Sequence, residues 1–124
     1  MQTVLIIEDE NLTQQIYKDA LISEGFEVIQ AFSGKQGLAI AKSERPALII
    51  LDVMLPYGMN GFDVLEQLKK DISLRDIPVL MFTNLDTEEK TALSIGASEY
   101  IIKANTSISE VIQKVKQHIK TPQG

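Results

Sequence analysis

The sequence predicts an α/β fold with a single doubly wound, five-stranded parallel sheet and five helices. Five short apolar runs alternate along the 124 residues with five segments of helical character, which is the pattern of successive strand–helix–strand units. The run Ala47–Leu51 is apolar throughout, as expected of a strand that is buried on both faces of the sheet. Right-handed crossovers between such strands give helices on both sides of the sheet.

The first predicted strand is Val4–Ile7, which runs directly into the acidic triplet Glu8-Asp9-Glu10. A helix begins at Asn11 and ends before Gly25, a residue type that commonly follows helix ends. The apolar positions of this helix fall near helical spacing, so we expect them to face the core. These positions are Leu12, Ile16, Ala20 and Leu21.

The second predicted strand and helix follow. Phe26–Gln30 reads as a half-exposed strand, which suits a sheet edge. Ser33, with Gln36 three residues later, predicts a capping box for a helix that runs through Ala41. Pro46 then precedes the central apolar run.

Beyond the central run, the loop Tyr57–Gly61 leads into a third helix with one apolar face. We expect that face to comprise Phe62, Leu65, Leu68 and Ile72. The fourth strand, Val79–Phe82, ends on Thr83. Asp86 with Glu89 predicts a capped fourth helix.

The fifth strand, Glu99–Ile102, ends on Lys103. Ser107 with Glu110 predicts a capping box for the last helix, whose apolar side chains should point inward. Those side chains are Ile108, Val111, Val115 and Ile119. Residues 121–124 form a polar tail, and the sequence shows no repeat, no low-complexity segment and no internal linker.

A flavodoxin-like strand order, 2-1-3-4-5, is expected because it places the half-exposed second strand at the edge. The first and third strands are then neighbours at the point where the winding reverses. A single charged residue at a strand end is usually only a solvated loop residue. Here the parallel strands bring several charged or hydroxyl-bearing side chains to one edge of the sheet. These are Glu8, Asp9, Asp52, Thr83 and Lys103.

Three of these side chains, Glu8, Asp9 and Asp52, are carboxylates that repel one another unless a cation joins them. With oxygen ligands and no cysteine in the chain, a hard cation such as Mg²⁺ is the natural candidate. Lys103 adds a positive charge, and Thr83 adds a hydroxyl that can bond to a phosphoryl oxygen. The pocket therefore suits an acid nucleophile that accepts a phosphoryl group.

Composition narrows the classes of function. The formal net charge is −5, which argues against nucleic acid as a direct partner, because binding to its phosphate backbone needs a basic surface. The absence of cysteine excludes disulfides and thiolate metal sites. No apolar run reaches the length of a membrane span and no signal peptide precedes the first strand, so we expect a cytoplasmic domain without membrane contact.

Four motifs together resemble the CheY-like receiver domains of response regulators in two-component signalling. The motifs are Ile6-Ile7-Glu8-Asp9-Glu10, Leu51-Asp52-Val53-Met54-Leu55-Pro56, Met81-Phe82-Thr83-Asn84 and Tyr100-Ile101-Ile102-Lys103. Each is short, but their order and separation are specific. The resemblance assigns residues 1–120 to the receiver domain and leaves 121–124 as a tail or the start of a linker.

The resemblance implies a phosphoryl acceptor and a metal site. Asp52 would take a phosphoryl group from the phosphohistidine of a sensor histidine kinase or of a histidine phosphotransfer protein. The Mg²⁺ ligands would be Glu8, Asp9, Asp52 and the backbone carbonyl of Met54. The domain would be a signalling switch rather than an enzyme, catalysing only its own phosphorylation and dephosphorylation.

The resemblance also implies how the domain would switch. Lys103 would pair with the phosphoryl group, Thr83 would be drawn towards it, and the ring of Tyr100 would turn inward as Thr83 moves. A downstream protein or effector domain would bind the face made by the fourth helix, the fifth strand and the fifth helix.

The chain departs from the family pattern in two places. Ala104 follows Lys103 where proline is common, and a non-proline cis bond would cost about 2.5–4 kcal/mol, so we predict a trans peptide. The loop Pro56–Gly61 is one residue longer than the commonest version and is expected to bulge over the site. In addition, Met54 and Leu85 are apolar at positions that influence the hydrolytic water in this family, which predicts slow loss of the phosphoryl group.

Three other functions occur on the same fold. A flavin carrier would need a phosphate-binding loop rich in Ser, Thr or Gly after the first strand, where this chain has Glu8-Asp9-Glu10. An aspartyl phosphatase usually has a second Asp two residues after the nucleophile as acid or base, where this chain has Met54. The main alternative is an unphosphorylated pseudo-receiver that acts as a protein-binding module, although no phosphorylation residue is missing.

Overall fold

The computed structural model of the protein describes residues 2–119 and contains the parallel five-stranded sheet that the sequence predicts. The strands are β1 (Thr3–Ile7), β2 (Glu27–Ala31), β3 (Leu48–Leu51), β4 (Val79–Thr83) and β5 (Glu99–Ile102). They lie in the order β2-β1-β3-β4-β5, and each neighbouring pair is parallel. The half-exposed strand is therefore at an edge, as predicted. The polar tail at 121–124 lies outside the described residues.

Helices cover both faces of the sheet. They are α1 (Asn11–Ser23), α2 (Gly34–Glu44), α3 (Gly61–Lys70), α4 (Glu89–Ile95) and α5 (Ile108–His118). Alternate strand residues point to opposite faces, and two apolar clusters result. One contains side chains of α2, α3 and α4, and the other contains side chains of α1 and α5. The central strand β3 is buried at each of its positions, which explains its unbroken apolar sequence.

The predicted helix caps are confirmed in part. Ser107 and Glu110 form the expected capping box at the start of α5. At α2, the Ser33 side chain accepts from the amide of Gln36, but the side chain of Gln36 accepts from the amide of Phe32 instead of closing the box.

The fourth helix is present and is followed by Gly96, but the cap predicted for it was wrong. Neither Asp86 nor another side chain caps this helix, which follows Glu88 without a side-chain cap hydrogen bond. The capping box that Asn60 and Asp63 form at the start of α3 was not predicted from the sequence.

Four residues expected to face the core are exposed instead. Leu12 and Ile16 of α1 lie in solvent, because this helix turns Gln14, Tyr17 and Leu21 towards the sheet. Two others lie at or beyond a helix end, where the neighbouring elements no longer cover the chain. Ile72 follows the end of α3, and Ile108 is the first residue of α5.

The two expected irregular segments take defined shapes. The Lys103–Ala104 peptide is trans, as predicted, since no peptide bond in the range 2–119 is cis. In the long loop, Tyr57 and Gly58 both have positive φ, and the Tyr57 side chain is 91% exposed. Tyr57 lines the same surface cavity as Asp9, so the loop does project beside the acidic edge of the sheet.

Across residues 2–119, no helix combines the length and the apolar character that a membrane span would need.

Gly61 allows the start of α3 to pack against the strand end that carries Asp52. A Cβ atom at this position would lie 2.1 Å from the carbonyl oxygen of Asp52 and 2.7 Å from the Cα atom of Val53. The amide of Gly61 also donates to the carbonyl of Val53 at 2.8 Å. Both obstructing atoms are backbone, so the strand end itself would have to shift to admit a side chain.

We therefore expect Gly61→Ala to lower the free energy of unfolding by about 3 kcal/mol, the upper part of the range for overpacking. Gly58→Ala is the matched control, since its Cβ would meet nothing within 4 Å and only its positive φ opposes the change, at a cost of about 1–2 kcal/mol. Urea unfolding of both variants measures the difference. Equal losses of unfolding free energy in the two variants would show that the close backbone contact at Gly61 does not determine the effect of the substitution.

Candidate functional site

Three carboxylates gather at the carboxyl edge of the sheet. Glu8 and Asp9 follow β1, Asp52 follows β3, and these two strands pair up to Ile7 and Leu51. One oxygen from each carboxylate lies within 4.8 Å of the others. Glu8 is 3% exposed and Asp52 is 5% exposed, whereas Asp9 is open to solvent. The cluster is therefore closed on the core side and accessible from outside at Asp9.

Lys103 follows β5, which is separated from β3 by β4, and its side chain extends to this cluster. Its Nζ atom donates to Asp52 Oδ2 at 2.8 Å and also donates to Glu8 Oε1. Burial by itself lowers the pKa of Lys103, but the hydrogen bonds to Asp52 and Glu8 raise that pKa above its ordinary value. The ammonium therefore stays charged and partly neutralises the two buried acids.

Burial strongly perturbs the titration of the Glu8 carboxyl. The pKa of Glu8 is raised from 4.5 to about 7, chiefly because the carboxyl is buried; the hydrogen bond from Lys103 opposes this rise and the charge of Asp52 adds to it. Its second oxygen accepts from the amide of Glu10 at 3.1 Å. Without a further cation, one lysine thus does not fully compensate three neighbouring carboxylates.

Gln14 supports the strand end that carries Glu8, although it was not predicted from the sequence. This side chain is 1% exposed, and its Oε1 atom accepts from the Nε2 of Gln30 at 3.2 Å. Its Nε2 atom lies 2.8–3.1 Å from three backbone carbonyls, those of Ile6, Glu8 and Ala31. The spacing of Gln14 with the buried Tyr17 was the available signal, since three residues separate neighbours on one helix face.

Thr83 and Tyr100 are joined through the backbone of Leu85. Thr83 is fully buried, and its Oγ1 accepts from the amide of Leu85 at 3.3 Å. The hydroxyl of Tyr100, a half-buried residue, donates to the carbonyl of Leu85. A displacement of Leu85 would therefore affect both Thr83 and Tyr100, the two side chains predicted to form a switch.

The residue after Lys103 makes a contact that proline could not make. The amide of Ala104 donates to Oδ1 of Asn84 at 3.0 Å, and proline has no amide hydrogen. This hydrogen bond joins the loop after β4 to the turn at Lys103–Asn105. It helps to hold the turn at Lys103 without a proline.

Met54 lies against Asp52 through its backbone. The amide of Met54 donates to Asp52 Oδ1 at 3.1 Å, so both oxygens of Asp52 accept hydrogen bonds. The Met54 side chain is 63% exposed. It lines a cavity of about 560 Å³ together with Leu85, and Asp9 lies in the same wall. The acidic cluster thus opens towards a largely apolar mouth.

The arrangement combines the buried Asp52 carboxylate, two further carboxylates and the Lys103 ammonium. Each of the carboxylate and lysine positions singled out in the sequence converges here, which follows from the strand order. The oxygen atoms suit a hard cation, and the ammonium suits an anion that arrives at Asp52.

Comparison with known proteins agrees with this geometry. The sequence profile of the response regulator receiver domain matches residues 4–116. The chain is 30% identical over 119 residues to the polar-differentiation response regulator DivK of Brucella anthropi, covering 95% of this chain and 96% of DivK. It is 36% identical over 104 residues to the probable transcriptional regulator ycf27 of Porphyra purpurea. That match covers 82% of this chain but spans only 41% of the length of the ycf27 protein.

Solved structures show the same architecture. The chemotaxis protein CheY4 of Vibrio cholerae superposes with a TM-score of 0.86 at 26% identity, covering 96% of this chain and 99% of that one. The receiver domain of the Francisella response regulator 1452 gives a TM-score of 0.86 at 28% identity, covering 94% and 95% of the two chains. Together with the profile match and the acidic cluster, these likenesses show that the chain belongs to the response regulator receiver domain family of two-component signalling.

Proposed function

We propose that this receiver domain accepts a phosphoryl group on Asp52, with Mg²⁺ bound at the acidic cluster, and changes conformation in response. The observation that carries the proposal is the contact of the Lys103 ammonium with the Asp52 carboxylate, 2.8 Å away, beside two further acids from another strand. An isolated acid at a strand end would need no such partners. In this role the domain is a signalling switch that acts on itself.

The proposed reaction is an in-line displacement at phosphorus. An oxygen of Asp52 attacks the phosphoryl group of a phosphohistidine, so that a P–O bond forms as the P–N bond to the imidazole breaks. The leaving imidazole takes the electron pair of the P–N bond. Lys103 would then face the phosphoryl oxygens, and the amide of Met54 would hold the remaining Asp52 oxygen in place.

The donor set fits a hard divalent cation. Glu8, Asp9 and Asp52 each offer a carboxylate oxygen within 4.8 Å of the others. Two of them are buried, and Lys103 is their one cationic partner among residues 2–119. These residues would hold Mg²⁺, with the backbone carbonyl of Met54 as a further ligand. When bound, the ion would neutralise charge on the phosphoryl oxygens.

The proposed switch begins at Thr83. A phosphoryl group adds close to two negative charges and three acceptors at neutral pH, and the Thr83 hydroxyl can donate to one of them. That movement would change the hydrogen bond from the amide of Leu85 to Thr83. Because the carbonyl of Leu85 accepts from Tyr100, the aromatic ring would report the change at the surface.

The proposed partners follow from the family. A sensor histidine kinase or a histidine phosphotransfer protein would donate the phosphoryl group. A downstream protein or effector domain would bind the face formed by α4, β5 and α5, to which Tyr100 belongs. We further propose a cytoplasmic setting, with neither nucleic acid nor membrane as a partner of this domain, in keeping with its net charge of −5.

Incubation with Mg²⁺ and phosphoramidate, followed by intact mass measurement, tests the phosphoacceptor. We expect the wild type to gain one phosphoryl group and Asp52→Asn to gain none, because an amide oxygen cannot form the acyl phosphate. Asp76→Asn, at an exposed acid in a loop, is the matched control and should behave as the wild type. No gain by the wild type would favour the pseudo-receiver instead.

Once the phosphodonor has been removed, the same mass measurement followed over time gives the rate at which the protein loses the phosphoryl group. We expect that loss to be slow, since Met54 and Leu85 line the cavity beside the site with apolar side chains. Rapid loss from the purified protein would contradict this part of the proposal.

The titration of Glu8 predicts a pH-dependent stability in the absence of metal. The pKa of Glu8 is about 7 in the folded protein and 4.5 as its ordinary value, so the folded state binds the proton more tightly. Between these pH values, Glu8 should therefore reduce the free energy of unfolding as pH rises, by at most about 3 kcal/mol. The measurement is the unfolding free energy of wild type and Glu8→Gln in EDTA across pH 4–8.

The difference between the two proteins should change over that window and become constant above it. Saturating Mg²⁺ should reduce the change in the wild type, because the cation compensates the ionised carboxylates. A difference that does not vary with pH would contradict the assigned titration of Glu8.

The link from Thr83 to Tyr100 predicts that phosphorylation and switching can be separated. We expect Thr83→Ala to accept the phosphoryl group on Asp52 but to lose most of the phosphorylation-dependent change in the Tyr100 NMR signals. Thr91→Ala, at an exposed position in α4, should retain both. If Thr83→Ala shows the full change at Tyr100, the proposed coupling through Leu85 is wrong.

A further inference from the structure

The ammonium of Lys103 has a third neighbour besides the two carboxylates. Its Nζ atom lies 5.5 Å from the centroid of the Phe82 ring, within the range of about 6 Å over which a cation is attracted to an aromatic face. Phe82 is 4% exposed and the Lys103 side chain is 18% exposed, so most of this contact is shielded from bulk water. The ring therefore forms a wall of the position that the ammonium occupies.

A second aromatic side chain braces this ring. The rings of Phe82 and Tyr17 meet edge to face, with centroids 4.9 Å apart and planes at 71°, which is a favourable geometry for aromatic pairs. Both residues belong to the apolar cluster under α1 and α5. Burial raises the pKa of Tyr17, and the positive charge of Lys103 partly offsets that effect, so the ammonium acts on the second ring as well.

The strand geometry separates this pair from the switch residues. Phe82 and Thr83 are consecutive in β4, and consecutive strand residues point to opposite faces of the sheet. Phe82 packs in the cluster under α1 and α5, whereas Tyr100 packs against the cluster on the other face. Phe82 is thus placed to act on Lys103 without acting on Tyr100.

An aromatic ring suits this position better than a further acid would. Lys103 has a flexible four-carbon stem, so its ammonium needs more than charge attraction to remain in one place. A further carboxylate in place of the ring would repel an incoming phosphoryl anion. The ring attracts the cation through its quadrupole and carries no net charge, so it can hold the ammonium both before and after Asp52 loses its free carboxylate.

We propose that Phe82, braced by Tyr17, is a positioning residue that holds the Lys103 ammonium at the phosphoryl site, an inference that rests on the phosphoacceptor function proposed above. Phe82 itself does not contact the reacting atoms. Its effect on phosphorylation passes through Lys103.

The first test compares phosphorylation rates with phosphoramidate at saturating Mg²⁺. We expect Phe82→Leu to lower the second-order rate constant about tenfold, the effect of losing a shielded cation–π contact. Phe82→Tyr retains the aromatic face and should keep most of the wild-type rate constant. Val115→Ala is the matched core control, because Val115 is fully buried in the same cluster on α5 and has no ring.

The second test requires neither metal nor phosphodonor. In the wild type, the ring current of Phe82 should shift the NMR signals of the Lys103 side-chain methylenes, and Phe82→Leu should abolish that shift while Val115→Ala keeps it. If Phe82→Leu does not fold, Tyr17→Leu replaces it, since loss of the brace should reduce both the shift and the rate.

The outcomes separate this proposal from the phosphoacceptor function. If the wild type gains no phosphoryl group, the proposed function fails, and the NMR comparison still decides whether Phe82 holds Lys103. If Val115→Ala slows phosphorylation as much as Phe82→Leu, or if the Lys103 signals do not depend on Phe82, the residue is only a core side chain and the proposal is overturned.

Discussion

The site depends on the burial of like charges beside the Lys103 ammonium. Glu8 and Asp52 are almost completely buried at adjacent strand ends, and Lys103 donates to both. Burying a carboxylate is unfavourable unless it is paired and hydrogen-bonded, so this pair of acids costs stability that the rest of the fold must supply. The raised pKa of Glu8 shows that the compensation is incomplete. A site in this condition has a physical reason to bind a cation.

The surrounding fold holds the carboxylates where repulsion would otherwise separate them. Parallel pairing of β1 with β3 sets the distance between Glu8 and Asp52, and the amide of Asp52 donates to the carbonyl of Ile7. The Gln14 side chain lies within hydrogen-bond distance of the carbonyl of Glu8, which follows β1, and of the carbonyl of Ala31 in β2, and so holds the end of β1 in place. The absence of a side chain at Gly61 lets α3 start directly against the Asp52 backbone. Stability invested in strand pairing and packing thus maintains an electrostatically unfavourable cluster.

The two faces of the sheet contribute differently to the site. The side covered by α1 and α5 carries the aromatic pair beneath Lys103. The side covered by α2, α3 and α4 carries the half-buried Tyr100, which is linked to Thr83 through Leu85. Lys103, at the end of β5, lies where these two sides meet. The sheet therefore separates the aromatic pair that contacts Lys103 from Tyr100, which would transmit a change.

The sequence by itself determined the strand and helix order, the sheet topology and the edge at which the polar residues meet. Those features depend on local periodicity and on chain connectivity, both of which are written in consecutive residues. Only the tertiary structure decided which side of α1 is buried. Leu12 and Ile16 have the right spacing for a core face, but Tyr17 packs against Phe82 instead. On the same buried side, Gln14 lies close to three backbone carbonyls. The tertiary structure also decided the surroundings of Lys103, since a contact between side chains on different strands depends on distances in space that no spacing along the chain records.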